Sequence, residues 1–590
     1  MISLSGEQQD VVNHPGNVFV QACPGSGKTR VLTCRVIKAL DELTSTKHRV
    51  VALTFTNRAA DEIQSRLDQL SICQDQLWAG TIHAFALEWI LRPYAGYIPR
   101  IQTGFSIADE YFTDRALSEL RNEFGKQRFF RINTARDRNG NVLNADDTAE
   151  AIFERYQERL VDQKLLDFDD VLYYSYRLLL DIPEIAETLG SIFRVICVDE
   201  IQDTQDLQFG ILSTIVLASP DPRPTLFFVG DPDQCIYESL GAVSMTVNEI
   251  SQEFGGALIE PLPLTGNYRS TQRLIDFYQL LRPANPRIES LTRYAGERGI
   301  ITFENQTVGR GELPCVIAQL IRNAIGRGVK PCEICVLAPH WYHVRSLSRL
   351  LIRLLPDIDL DAPGVSPLYS QRENFWFKVA RLFLTTPTPT LYRTRLRWAR
   401  EVLEELSENQ SVNVPESFQT PRRLLRLINS LDCDKEDGLE FLKDAFTYLS
   451  ISLDLDLDVL TGLSLAQALF FEKARHRIDE DGLPMDVESF KKLFKHPSGV
   501  VISTCSGVKG EEYDTVIALG LLRGYIPHWE IIREGLAGVA EDRASKLLYV
   551  ISSRAKRCLH LIAESGRFTL QNQNPYETTR HLGALVFDYD

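Results

Sequence analysis

The chain has 590 residues, 44% hydrophobic and 24% charged, with a formal net charge of −15; this is an ordinary globular balance for which length alone suggests about four domains. No apolar run approaches the roughly 20 residues that span a bilayer, and residues 1–10 are polar and carry no secretion signal, so the expected location is the cytoplasm with no membrane partner. The 11 cysteines are scattered, with only Cys332 and Cys335 in CxxC spacing; one such pair does not complete a tetrahedral metal site, and the thiols read as buried.

From the N-terminus, the first element with a chemical signature is Ala22-Cys23-Pro24-Gly25-Ser26-Gly27-Lys28-Thr29. The apolar run Val18-Phe19-Val20 before it predicts a strand, and Val31, Leu32, Val36, Ile37 and Leu40 after it predict an amphipathic helix. A glycine-rich stretch before a lysine is often only a turn, but strand, loop and helix together form a phosphate-binding loop. Around Gly25, Ser26 and Gly27 the backbone N–H groups can close on phosphate oxygens, Lys28 reaches the β- and γ-phosphates, and the Thr29 hydroxyl reaches Mg²⁺. Ala22 stands where the strict pattern has glycine. The expected ligands are a nucleoside triphosphate, ATP, and Mg²⁺.

Further along, Val195-Ile196-Cys197-Val198-Asp199-Glu200 predicts a short β-branched strand whose tip delivers two carboxylates. Asp199 is the candidate Mg²⁺ ligand. Glu200 is the candidate base, because phosphoryl transfer to water depends on positioning the nucleophile and neutralising charge on the γ-phosphoryl. An acidic loop capping the next helix is the simpler alternative, and the presence of Lys28 weighs against it.

Other blocks follow in a fixed order: Leu4-Ser5-Gly6-Glu7-Gln8, Thr54-Phe55-Thr56-Asn57-Arg58-Ala59-Ala60, Gly80-Thr81-Ile82-His83-Ala84-Phe85, Ile201-Gln202-Asp203-Thr204-Gln205, Gly230-Asp231-Pro232-Asp233-Gln234-Cys235-Ile236-Tyr237, Asn267-Tyr268-Arg269-Ser270, Val508-Lys509-Gly510-Glu511-Glu512-Tyr513 and Leu548-Tyr549-Val550-Ile551-Ser552-Ser553-Arg554-Ala555-Lys556. In order and spacing they resemble the UvrD/Rep/PcrA type of superfamily 1 DNA helicases, from Leu4 to Ile562. The resemblance implies that Gln8 reads the adenine edge and that Tyr268 lies on the adenine ring opposite Arg30. It also implies that Gln234 senses the γ-phosphate, that Arg269 and Arg554 stabilise transition-state charge, that Gly510 approaches the nucleotide and that Glu512 accepts from the ribose. Phe55, Asn57 and His83 are the implied contacts to single-stranded DNA, where base stacking tolerates any sequence. A lone aromatic or histidine is more often core packing, and only the surrounding blocks favour the DNA role.

The same resemblance implies an α/β fold with two RecA-like P-loop NTPase cores, each interrupted by a mainly helical insertion. The expected layout is core 1A at 1–88 and 190–266, insertion 1B at 89–189, core 2A at 267–380 and 486–590, and a short 2B-like insertion at 381–485. Thr385-Thr386-Pro387-Thr388-Pro389-Thr390 reads as a linker into the second insertion. Within that insertion Arg395, Arg397, Arg400, Arg422 and Arg423 near Trp398 could touch duplex DNA or a protein, or form a solvated helix face. The alternation Leu453-Asp454-Leu455-Asp456-Leu457-Asp458 reads as an edge strand or helix start. The family pattern is broken at Glu238-Ser239-Leu240, where a stacking platform is missing, at Ser506 in place of a histidine, and at Pro339-His340, so strand grip is expected to be weaker or rearranged. Too little chain follows Ile562 for a nuclease.

The implied activity is an ATP-dependent 3′-to-5′ DNA helicase and single-strand translocase, with single-stranded DNA and single-strand/duplex junctions as partners. A motor subunit that works only with a partner nuclease or repair or defence protein is the alternative, because the second insertion is short. A non-hydrolysing DNA-binding scaffold is the third reading, opposed by the full set of Lys28, Asp199, Glu200, Gln234, Arg269 and Arg554.

Overall fold

Strands β1 (Asn17–Ala22), β2 (Arg49–Thr54), β3 (Leu77–Thr81), β4 (Phe193–Val198), β5 (Thr225–Gly230) and β6 (Ile259–Leu264) form a six-stranded sheet in the order β3-β2-β4-β5-β1-β6. Every neighbouring pair is parallel. The computed structural model describes residues 3–590 except 71, 109, 128–129, 144, 238–240, 284–285, 363–365, 369–373, 390, 410–411, 413, 482, 496–497, 534–536 and 570–572.

The strands are nearly continuous apolar runs because helices cover both faces of the sheet. Alternate side chains then enter different cores. Phe19, Val51, Ile196 and Phe228 pack into one cluster, while Val18, Val50, Cys197 and Phe227 pack into the other.

A second six-stranded parallel sheet is made of β7 (Ile300–Gly309), β8 (Ile334–Ala338), β9 (Leu360–Asp361), β10 (Val500–Thr504), β11 (Tyr513–Ala518) and β12 (Ala555–Ser565), ordered β7-β12-β11-β8-β10-β9. It repeats the two-sided burial: Leu337, Val516 and Leu559 face one core, and Val336, Ile517 and Ile562 the other. The fold is therefore α/β with two RecA-like parallel sheets, as the motif order implied.

Between β3 and β4 the chain runs through helices that include Asp147–Asp162, Phe168–Asp181 and Pro183–Ile192. Between β9 and β10 it forms a helical unit with its own core around Trp376, Leu424, Phe446 and Leu449. Helix Phe375–Leu384, on the N-terminal side of the Pro-rich stretch, contributes to this core. Trp376 is fully buried and its indole N–H donates to Leu463 O at 2.8 Å. No helix among the described residues is long and apolar enough to cross a membrane.

Three expectations from the sequence change. Cys73 and Cys315 are exposed rather than buried, because a scattered thiol takes the burial of the helix or loop that carries it. The segment Leu453 to Asp458 is neither strand nor helix start but a turn between helices Gly438–Ser452 and Thr461–Asp481. Leu453 and Leu455 are buried, Asp454 has φ 55°, and the Asp456 carboxylate accepts from Asp458 N at 3.0 Å. A turn of this kind spends carboxylates on its own backbone, so alternation alone did not require a neighbouring strand. Arg395 is also not on a solvated face. It is 3% exposed and donates to Leu382 O at 2.9 Å and Asn429 Oδ1 at 2.8 Å, which ties helices together from within.

Replacing Trp376 by alanine should remove both the core volume and the Leu463 hydrogen bond. The expected cost is about 3–5 kcal/mol in the helical unit, read as an earlier denaturant transition by tryptophan-independent circular dichroism, with the two sheet cores unfolding later.

Candidate nucleotide-binding cleft

The cleft opens at the C-terminal ends of β1, β4 and β5, where open parallel sheets bind ligands. After β1 the loop turns through Gly25 (φ 70°) and Gly27 (φ 85°), and helix Lys28–Asp41 begins at once. A Cβ on Gly25 would lie 2.7 Å from Arg269 Cβ and 2.9 Å from Asn267 Nδ2, so glycine there serves close packing as well as backbone conformation. The Ser26 Oγ is buried without a partner, a polar group that a phosphate oxygen would satisfy. Lys28 Nζ lies 3.7 Å from Glu200 Oε2. The residues present therefore fit a nucleoside triphosphate, and the hydroxyl-plus-carboxylate pair Thr29 and Asp199 fits Mg²⁺.

Asp199 is 5% exposed at the tip of β4, with its N–H donating to Leu53 O at 2.8 Å. Burial, with the Glu200 charge beside it, pushes the Asp199 carboxyl up, leaving a group whose ionised form needs a cation. Glu200 is held in the left-handed region at φ 51°, strain of the kind found at functional sites. Its carboxylate accepts from Gln202 Nε2 at 2.6 Å. Burial works against its ionisation, but Lys28 and then Lys509 outweigh it and hold Glu200 down. A base kept ionised beside a buried partner is suited to orienting water.

The second sheet closes the cleft. Arg554, 2% exposed, donates through Nη2 to Gln234 Oε1 at 2.8 Å, and Gln234 Nε2 donates to Asp231 Oδ2 at 2.6 Å. The residue implied as γ-phosphate sensor and the implied arginine finger are thus in direct contact. Burial, reinforced by Arg269, pulls Arg554 down to about 9. Arg269 donates to Glu512 Oε2 at 2.9 Å and to Ser553 O at 2.8 Å. Lys556 Nζ stands 3.3 Å from Glu512 Oε1, and the net effect of these cations holds Glu512 low against burial. Gly510 has φ 84° and open space where a Cβ would be.

At the base side of the cleft the arrangement is looser. Gln8 is 2% exposed and its Nε2 donates to Ser26 O at 2.9 Å, while its Oε1 accepts from Ser5 N at 3.1 Å. Both ends of its amide therefore brace the helix start and the P-loop. Tyr268 is 36% exposed, and its N–H donates to Gly25 O at 2.8 Å. Arg30 is exposed, with Nη1 3.5 Å from Ser3 O.

Of the residues expected to contact single-stranded DNA, Phe55 is 40% exposed and stacks on Tyr237 at 4.9 Å and 24°. Asn57 opens helix Asn57–Gln69. His83 packs edge-on against Phe168 at 5.7 Å, and burial pulls it down to about 4, so its imidazole is neutral. The interrupted stretch Glu238-Ser239-Leu240 lies outside the described residues.

Several residues in the quoted blocks had no assigned role, yet they carry the seam. Asn267, fully buried, donates to Pro24 O at 2.6 Å and accepts from Arg269 N at 2.8 Å. Lys509 Nζ bonds Asp203 Oδ2 at 2.6 Å and also Gln234 O, and sits 5.4 Å from the Tyr237 ring. Tyr237 Oη donates to Ser506 O at 3.0 Å, and Arg58 pairs with Glu511. Beside Ser506, Cys505 N donates to Ala338 O at 2.9 Å, and the chain then leads to Trp341 and Tyr342, 49% and 68% exposed. The only sequence signal for these pairs was opposite charge within neighbouring blocks, which does not specify a partner about three hundred residues away.

Two parallel-sheet cores whose facing edges enclose a P-loop, a carboxylate pair and two arginines define a P-loop NTPase closed by a second RecA-like core. The model of the UvrD/REP helicase N-terminal domain matches residues 4–255. PcrA, named an ATP-dependent DNA helicase, of Staphylococcus aureus (strain Mu50 / ATCC 700699) is 32% identical over 96% of this chain and 83% of its own length. PcrA of Bacillus subtilis (strain 168) is 25% identical over 96% and 84%, and DNA helicase II of Rickettsia typhi is 25% identical over 96% and 93%. The chain belongs to the UvrD/REP helicase family.

Lys509→Met should leave the fully buried Asp203 carboxylate uncompensated, at a cost of about 3–5 kcal/mol. The expected outcome is a lowered thermal midpoint together with lost ATP turnover, whereas the double change Lys509→Met with Asp203→Leu should recover much of the stability but not the turnover.

Proposed function

We propose that this chain is an ATP-dependent DNA helicase that hydrolyses ATP with Mg²⁺, moves along single-stranded DNA in the 3′-to-5′ direction and unwinds duplex ahead of it. The observation that carries the reading is the Arg554–Gln234 hydrogen bond across the seam, beside Lys28 and Glu200. Each element of the cleft has a role in such a reaction.

Lys28 and the P-loop N–H groups hold the β- and γ-phosphates, and Glu200 orients and deprotonates the attacking water. Mg²⁺ held by Thr29 and Asp199 would supply charge neutralisation on the phosphate oxygens. Arg269 and Arg554 neutralise charge on the γ-phosphoryl from the second core. They exchange Glu512 and Gln234 for phosphate oxygens when the cores close. Gln234 reports that exchange to Asp231 and, through its carbonyl, to Lys509. Closure changes the spacing between grips on the strand, and release after hydrolysis restores it. Gln8, Tyr268 and Arg30 are proposed to hold the adenine, which requires Gln8 to turn from Ser26 O; Gly510 and Glu512 lie at the ribose side.

Phe55, Asn57 and His83 are proposed strand contacts, Phe55 with the stronger support because it is exposed and already stacked on an aromatic ring. We also propose the core partition 1–88 with 190–266 and 267–380 with 486–590, around insertions 89–189 and 381–485; sheet membership on either side of the helical stretches supports the two cores, while the packing of helix Phe375–Leu384 and Phe490 into the helical unit extends the second insertion beyond both of its expected ends. The direction of travel follows the family, and the cytoplasm is its proposed place of action.

Purified protein should hydrolyse ATP faster with single-stranded DNA than without. Lys28→Ala and Glu200→Gln should abolish turnover, and Arg554→Ala should lower kcat by about 10³-fold or more. A duplex with a 3′ tail should be displaced and one with a 5′ tail should not. Stimulated turnover without displacement would replace the autonomous helicase by a partner-dependent motor, and displacement from the 5′ tail would reverse the polarity.

A further inference from the structure

Away from the ATP cleft, helices Tyr392–Glu404 and Pro421–Asn429 lie against the C-terminal end of helix Asn57–Gln69 and the turn after it. Together they line an open groove of about 430 Å³, within the roughly 300–1,000 Å³ typical of small-molecule sites, with Arg393, Arg400 and Arg422 exposed on its rim. Four arginines line it, Arg393, Arg397, Arg400 and Arg422, against the single carboxylate of Asp68.

Arg393 donates to Asp68 O, and Arg397 Nη1 lies 3.4 Å from Asp68 Oδ2, which leaves that carboxylate shared between the ion pair and Gln74 Nε2 at 2.9 Å from its other oxygen. Arg400 and Arg422 have no hydrogen-bond or ion-pair partner among the described residues. In a chain of net charge −15, a wall on which arginines outnumber carboxylates among the described residues stands out, because clustered like charges repel unless an anion joins them. The first turn of helix Pro421–Asn429 also borders the groove, but Pro421 has no N–H and the Arg423 and Leu424 N–H groups donate to Thr420, so the arginine side chains carry the positive field. A smaller cavity of about 140 Å³ shares Arg422.

The lining is not purely charged: Ile72, Leu396 and Pro421 supply an apolar surface beside the guanidinium groups. Such a mixture suits a ligand with phosphates at one end and a ring at the other.

We propose that this groove binds a phosphorylated small molecule of nucleotide size, with Arg397, Arg400 and Arg422 on its phosphates and Leu396, Ile72 and Pro421 against its ring. Its phosphates compete with Asp68 for Arg397 and so loosen the tie between the helical unit and helix Asn57–Gln69. That helix begins two residues after Phe55, so the site is placed to adjust the strand-contact loop. The inference does not rest on the reading of the ATP cleft.

The test uses the full chain carrying Lys28→Ala, which weakens the P-loop, and titrates ADP and inorganic tripolyphosphate by calorimetry. Both probes should bind at one site per chain. Adding Arg400→Ala and Arg422→Ala should weaken each at least tenfold while leaving the thermal midpoint in place. Asp68→Asn, which releases Arg397, should tighten both several-fold, a gain that damaged folding does not produce. ADP binding tighter than tripolyphosphate assigns the site to nucleotides; equal affinities assign it to inorganic polyphosphate and overturn the ring contact. Affinities unchanged by the arginine substitutions, or a loss confined to duplex DNA binding, overturn the proposal.

Discussion

Arg554 is a guanidinium with 2% exposure, set in the seam between two sheets and facing another arginine. Burial and the neighbouring Arg269 both disfavour its charge, so the seam is stable only when every donor finds an acceptor. It finds Val550 O, Glu511 O, Gln234 Oε1 and Ser553 Oγ. Three of these belong to its own core, and Gln234 alone belongs to the facing sheet. A negatively charged acceptor arriving between Lys28 and Arg554 would displace Gln234, because a hydrogen bond between two ionised groups is stronger than one to a neutral amide. Much of the surrounding structure serves to keep this guanidinium in place and its one mobile contact available.

The same seam joins the P-loop side of the cleft to the Phe55–Tyr237 stack. Lys509 reaches Asp203, the Gln234 carbonyl and the Tyr237 ring at once. Tyr237 carries Phe55 on one face and bonds the Ser506 carbonyl of the second core. A change at Gln234 therefore meets the aromatic stack through a single side chain. This is a contiguous chain of packed and hydrogen-bonded side chains, of the kind that carries coupling between sites.

The Asn267–Arg269 segment shows how closely the parts are fitted. It lies after the last strand of the first sheet, yet its Asn267 side chain caps the P-loop carbonyl of Pro24 and, with the Arg269 Cβ, fills the space beside Gly25. Through Arg269 and Ser270 it also bonds Ser553 O and Ala555 O of the second core. The connection between cores is thus built into the nucleotide loop rather than laid beside it, so the loop cannot move without moving the seam.

Sequence by itself determined the local chemistry. The P-loop with Lys28, the Asp199–Glu200 tip and the apolar runs of the buried strands were legible because each depends on residues within one strand, turn and helix, where backbone geometry and hydrophobic pattern act at short range. Acidic alternation at Leu453 to Asp458 misled for the same reason, since local pattern does not say whether a partner strand exists. Tertiary structure alone decided which distant groups meet: Lys509 with Asp203, Arg554 with Gln234, Arg397 with Asp68, and Gln8 with the loop it braces rather than with open space. These contacts are set by the docking of two sheets and a helical unit. Their partners are chosen by burial, since a buried charge has to be matched wherever the fold places it.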